Sequence, residues 1–173
     1  MTKQVKRATS AHDDQIRPEI RHLSGTDLSD VNLATDDLTG AELDNAQLPR
    51  AMMKGTNLSA ANLSGANLSH ASLAGANLEG ADLHGADLFE TDLRGANLAG
   101  TNLSDADLQG ADLAGANPEA AGAVSRAKMM GARGLSDGQR ETLSANEANF
   151  AEPTAVPNPV RPGDQASSVG EDA

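Results

Sequence analysis

Apolar residues in this chain fall on a five-residue beat. Leucine occupies positions 23, 28, 33, 38, 43 and 48, Met53 follows, and leucine returns at every fifth residue from Leu58 to Leu113. That makes nineteen consecutive centres without an insertion. Two residues before each centre the chain is small: Ala at twelve of the nineteen and Thr at four (Thr26, Thr56, Thr91, Thr101), with Arg21, Val31 and Asp36 the exceptions. Asn or Asp usually precedes the centre and Gly often stands two after it, so the consensus reads A-[DN]-L-x-G.

A period of five fits neither standard element. Five residues of α-helix turn through about 500°, which would spiral the leucines around every face. In a strand an odd period sends successive leucines to opposite faces. They share one interior only if the chain turns a corner in each pentad, and Gly, Asn and Asp are the residues that tolerate such corners. One pentad cannot bury its leucine until the next coil covers it, so the pattern predicts a solenoid. Its core is the stack Leu58, Leu63, Leu68, Leu73, Leu78, Leu83, Leu88, Leu93, Leu98, Leu103, Leu108 and Leu113, with the preceding leucines below it.

Nineteen pentads in register closely resemble the pentapeptide-repeat proteins. The resemblance covers residues 21–117 and implies an all-β solenoid, a right-handed quadrilateral β-helix with four pentads per coil and about five to six coils. It also implies that the central leucine and the small residue two before it point inward while the other three positions face out. Residues twenty apart then stack at about 4.8 Å, the spacing of paired strands.

Beyond the regular run the register changes. Pro118 takes the place of a leucine and Ala121 slips the frame by one, after which "GAVSR" and "AKMMG" still read as pentads centred on Val124 and Met129. The β-helix is therefore expected over 21–135. "SDGQRETLSANEANF" reads as a short C-terminal capping helix over 136–150, with Ser136 as N-cap and Gln139 as its capping-box partner. Such a helix would cover unpaired strand edges. Four prolines among small polar residues make 151–173 an expected disordered tail. Residues 1–20 read as a partly flexible leader.

Composition narrows the function. The 173 residues include two Phe, no Trp, no Tyr and no Cys, so Leu and Ala must fill the core, and disulfides and thiolate chemistry are excluded. No signal-peptide h-region and no membrane-length apolar run is present, which points to a cytoplasmic protein. A net charge of −12 opposes direct nucleic-acid binding and favours a protein partner with a basic surface, or simply serves solubility.

The stacking map sorts the outward residues. Asp37, Asn57, Asn77, Asn97 and Asn117 form one column, read as a structural amide ladder. The other faces of the last two regular coils collect Asp82, Asp87, Glu90, Asp92, Asp105, Asp107 and Asp112, with Arg94 the only base among them. Phe89 sits there one residue past its leucine, pointing outward between Ser69 and Gln109 in the stack. These residues form the candidate protein-interaction patch. The alternative reading is that the aspartates before each leucine are corner chemistry and Phe89 a lone exposed apolar residue. A second irregularity, "LPRAMMK" over 48–54, turns Met52 and Lys54 outward beside Pro49 and Arg50; it reads as a relaxed coil, or as adaptable binding surface.

No catalytic set emerges. Ser69 and His70 are adjacent but face solvent on a rod with no evident pocket. His12, Asp13 and Asp14 could ligate a metal only from the leader. Asp105 and Asp107 are products of the repeat and lack a calcium-loop pattern, and no Lys follows the glycines in phosphate-loop spacing. The chain reads as a non-enzyme without metal or cofactor. Two functions follow. The first is a protein-binding scaffold, monomeric or weakly dimeric, using the outer faces of an acidic rod. The second, implied by the resemblance, is a DNA mimic of the kind that occupies a type II topoisomerase (DNA gyrase or topoisomerase IV) and protects it from quinolones. Residues 21–117 carry fourteen acids against four bases, which suits mimicry. The chain lacks that branch's central Phe and inserted loop. Its C-terminal helix offers only Leu143 and Phe150 to a dimer, and its rod is short, so mimicry ranks second.

Overall fold

Residues 22–151 are described by a computed structural model; the leader, with His12, Asp13 and Asp14, and the tail beyond Ala151 lie outside them. Within that range the chain coils. Parallel bridges join each residue to the one twenty later: His22 to Glu42, Glu42 to Asn62, Asn62 to Asp82, Asp82 to Asn102. Columns led by Asp27, Asn32 and Asp37 repeat the pattern, so one coil takes twenty residues and has four faces. The faces are numbered below by these leads, from His22 (first) to Asp37 (fourth), and each corner takes the number of the face before it.

Each pentad uses its backbone in the same way. The leucine N–H donates to the carbonyl of the coil above, as from Leu63 to Asp82 at 2.7 Å. The residue before it donates to the coil below, as from Asp82 to Ala61 at 2.9 Å. The corner closes when the leucine carbonyl accepts the N–H three residues on, as from Ala86 to Leu83 at 3.0 Å. This leaves the residue two past the leucine with a positive φ, whether Gly85 at 64° or Glu90 at 52°. The Asn/Asp preference has an equally local cause: the short side chain accepts the N–H two residues later, as Asp87 Oδ1 does from Phe89 N at 3.0 Å.

The interior is a column of leucines flanked by alanines. Every leucine from Leu43 to Leu113, and Met53 among them, is fully buried. Thr56, Thr91 and Thr101 replace alanine at zero exposure and donate their hydroxyls to the carbonyls of Leu33, Leu68 and Leu98. A buried hydroxyl without a partner would cost a desolvation penalty. Among the described residues no buried side-chain polar atom lacks one.

Above residue 117 the register becomes twenty-one: Asn102 bridges Ala123, Asp107 bridges Lys128, and Asp112 bridges Arg133. The extra residue is absorbed where buried Pro118 starts a single 3₁₀ turn, Pro118–Ala120. There the Asn117 side-chain oxygen takes the Leu98 N–H at 2.7 Å, a proton that a backbone carbonyl takes in the coils below. Helix α1, Asp137–Ala145, follows; the Ser136 hydroxyl accepts from Gln139 N while Gln139 Oε1 accepts from Ser136 N. It is shorter than the 136–150 read from sequence, because the chain rejoins the sheet: Lys128 bridges Asn149, with Met129 N and Asn149 N each bonded at 2.7 Å. Thus α1 stands where a regular coil would carry its fourth and first faces, with Leu143 buried beneath it.

Candidate functional site

The four corners share a backbone but not their side chains. Two residues past the leucine, the third corner reads Thr35, Gly55, Gly75, Gly95, Gly115 and the fourth reads Gly40, Ala60, Gly80, Gly100. The second corner reads Asp30, Arg50, His70 and Glu90 before glycine appears at Gly110. These four hold φ of 58°, 57°, 58° and 52°, in the left-handed region. That conformation costs an L-residue roughly 1–2 kcal/mol, which glycine avoids. The second corner repeats this cost in four successive coils.

The side chains along this ridge engage one another from coil to coil. Arg50 grips Asp30 with two bonds, Nε to Oδ1 at 2.7 Å and Nη2 to Oδ2 at 2.6 Å, which hold the Asp30 carboxyl below its usual range. His70 meets the Phe89 ring almost perpendicularly, centroids 5.6 Å apart, and its Nδ1 lies 3.3 Å from Glu90 Oε2. Phe89 is 40% exposed and Met52, on the third face just past Arg50, is 48% exposed; they are the two exposed large apolar side chains among the described residues. Both irregularities noticed in the sequence, Phe89 and the "LPRAMMK" stretch, therefore flank one edge of the rod.

The predicted acidic patch is distributed differently. Asp82 lies on the first face, Asp87 and Asp107 on the second, and Asp92 and Asp112 on the third; Asp105 is at the first corner, Phe89 and Glu90 at the second. All five face aspartates accept the N–H two residues on, from His84, Phe89, Arg94, Gln109 and Ala114. The structure gathers Asp87, Phe89, Glu90 and Asp92 around one corner, with Asp107 and Asp112 stacked a coil above, and sets Asp82 and Asp105 around another.

Arg94 is not the only base involved. The register slip brings Arg126 onto Asp105, with two charge-assisted bonds that lower that carboxyl, and Lys128 onto Asp107 at 3.1 Å. Arg94 itself forks onto Asp92, both bonds at 2.8 Å, and lowers it. Sequence reasoning ended its map at the last regular coil and so missed both pairs; counting twenty-one from Asp105 and Asp107 would have found them. It also missed the contact of His70 with Phe89 and the ridge as a whole. Sorting the non-glycine residues of the left-handed position by corner would have exposed the ridge.

The fourth face carries the amide ladder: Asn57 bonds Asp37, Asn77 bonds Asn57, Asn97 bonds Asn77 and Asn117 bonds Asn97, at 3.1–3.3 Å. Among the described residues no cluster of His and carboxylates is arranged to hold a metal, and no helix is long and apolar enough to cross a membrane.

The profile of one family, "Pentapeptide repeats", matches eight copies across residues 22–55, 51–89 and 86–117, more than half of the chain. The chain belongs to the pentapeptide-repeat family. The right-handed quadrilateral β-helix is the fold of that family. Among solved structures, this pentapeptide-repeat protein is similar to HetL of the cyanobacterium Nostoc sp. strain PCC 7120, a protein involved in regulating heterocyst differentiation. The identity is 37% and the TM-score 0.56, over 61% of this chain and 44% of HetL. The chain thus spans under half of HetL's length. It is also similar to Rfr23 of the cyanobacterium Cyanothece 51142, at 26% identity and TM-score 0.58, over 76% of this chain and 92% of that one. QnrB1, a plasmid-mediated fluoroquinolone resistance protein, aligns at 20% identity and TM-score 0.29 over 75% of this chain and 73% of its own. No curated protein sequence matches the chain. Members of this family serve in general as repeat scaffolds for protein interaction rather than as enzymes.

Proposed function

We propose that this protein is a non-enzymatic binding scaffold and that it meets its partner along the second corner and the adjoining edge of the third face. One observation carries the reading: four successive coils hold Asp30, Arg50, His70 and Glu90 in a backbone conformation that glycine adopts more cheaply, next to the exposed Met52 and Phe89. Side chains kept there at a cost to folding have a use outside folding. The partner is a protein with a basic surface, since Asp87, Glu90 and Asp112 along this edge form no ion pair with a Lys or Arg among the described residues, while Asp30, Asp92 and Asp107 are already paired. Helix α1 serves as an end cap in this scheme.

Topoisomerase mimicry fits less well. A DNA mimic needs an unbroken acidic surface, and Arg50, Arg94, Arg126 and Lys128 each sit on an aspartate.

The test uses the full chain as bait for partners from cells that express it. A Met52→Ser/Phe89→Ser variant should lose the partner that wild type retains, while Ala60→Glu/Ala99→Glu at the bare fourth corner should keep it. A partner held equally by the ridge variant, or lost only by the fourth-corner variant, would place contact elsewhere. Mimicry has its own readout: inhibition of gyrase supercoiling that weakens with loss of acidic charge and is indifferent to Phe89.

A further inference from the structure

Resting on the scaffold reading, we propose that the turn Asp87–Glu90 is a clamp for an arginine side chain of the partner. The selection comes from which carboxylates the chain leaves without a Lys or Arg partner. Around this edge Asp30 is held by Arg50, Asp92 by Arg94, Asp105 by Arg126 and Asp107 by Lys128. Asp87 and Glu90, the two acids that bracket the exposed ring, are reached by no Lys or Arg among the described residues. Asp87 spends one oxygen on the Phe89 N–H, and Glu90 has one oxygen near His70; the second oxygen of each has no hydrogen-bond or ion-pair partner among the described residues.

The ring between them is the only Phe, Tyr or Trp next to a repeat leucine. His70 meets it in a T-shaped contact from the coil below, while 40% of the residue stays open to solvent. Gly110, in the coil above, puts no side chain over Glu90. An exposed ring flanked along the chain by two carboxylates that no Lys or Arg of the described residues reaches suits a planar cation. A guanidinium can lie on the ring and still direct N–H groups to both acids, whereas an ammonium is a point charge with a firmer hydration shell. The surrounding acidity, fourteen acids against four bases over 21–117, draws such a group in without orienting it.

The experiment titrates the isotope-labelled full chain with blocked tetra-arginine or blocked tetra-lysine peptide, which carry equal charge, and follows backbone amides by NMR at low salt. The expected result is a shift centred on Phe89 and Glu90, with arginine binding about three- to five-fold tighter than lysine. Phe89→Leu should erase that preference while weak charge attraction persists, and Phe89→Tyr should keep it. Shifts spread over Asp82, Asp87 and Asp112 alike, equal affinity for the two peptides, or a Phe89→Leu variant that keeps the preference would each overturn the clamp. Failure of the clamp leaves the ridge to its own partner-capture test, because Met52 and the ridge can serve an apolar contact without it.

Discussion

The second and fourth corners of this solenoid are a natural experiment in what a backbone requires. Both turn the chain with the same hydrogen bond from leucine carbonyl to the N–H three residues on, and both hold the next position left-handed: φ is 52–58° at Asp30, Arg50, His70 and Glu90, and 55–67° at Gly40, Ala60, Gly80 and Gly100. One corner is charged and aromatic, the other bare. Steric crowding does not explain the difference, because a Cβ built on Gly40 or Gly80 meets nothing within 4 Å. The corner conformation favours glycine without demanding it. What stands there differs with the surface: a ridge on one side, and a flat amide-lined face on the other.

The leucine stack beneath is common to both corners, so its loss should not distinguish them. Leu83→Ala should lower stability by roughly 2–5 kcal/mol through the cavity it leaves, read as a drop in melting temperature. A melt indistinguishable from wild type would contradict the interior assignment. Next in size is the glycine that crowding enforces most strongly among the described residues: at Gly134, with φ of 78°, a Cβ would run into the backbone of Ala114. Gly134→Ala should therefore cost about 2–4 kcal/mol from overlap and backbone strain together, while Gly80→Ala should cost no more than about 1 kcal/mol. Equal losses at the two sites would mean that φ alone governs both positions.

The exchange between corners is smaller and has a sign to check. Glu90→Gly relieves a left-handed L-residue and gives up an exposed contact with His70, which is worth little; stability should rise by up to about 1 kcal/mol. Gly80→Glu should lower it by a similar amount. If Glu90→Gly destabilises instead, the ridge contributes to folding and its side chains need no external purpose.

The sequence was most legible where one rule repeats. Leucine spacing and the Asn or Asp before it specify the interior, the coil length and the turn, since each follows from bonds within one pentad or to the pentad twenty residues away. Legibility failed where register changed or where neighbours from different coils met side by side. One inserted residue at Pro118–Ala121 moves Arg126 and Lys128 onto Asp105 and Asp107, so a patch that looks acidic through residue 117 is partly neutralised by the next coil. His70 reaches Phe89 from one position out of column, a diagonal contact that a strict twenty-residue map does not draw. Helix α1 was marked by its capping box, but its end at Ala145 depends on Asn149 finding Ala127 and Met129, a tertiary pairing without local signature.

The smallest effect separates the corners by pH. Arg50 holds the Asp30 carboxyl below its ordinary value through two hydrogen bonds, so the folded state releases that proton more readily than the unfolded chain, whose value is about 3.9. A depressed folded value stabilises above the unfolded one, and the contribution disappears as pH falls through the folded value. Arg50→Gln should therefore separate from wild type near neutrality and converge with it in strong acid, when melting temperature is followed from about pH 7 down to about pH 2. Both groups are exposed, so added salt should shrink the separation further. Ala60→Gln on the bare corner, where no side chain in that position titrates, should leave a gap that is flat across the same range. If both gaps are flat, the ion pair of Arg50 with Asp30 does not stabilise the fold, and the ridge side chains are held in their left-handed positions without compensation from one another.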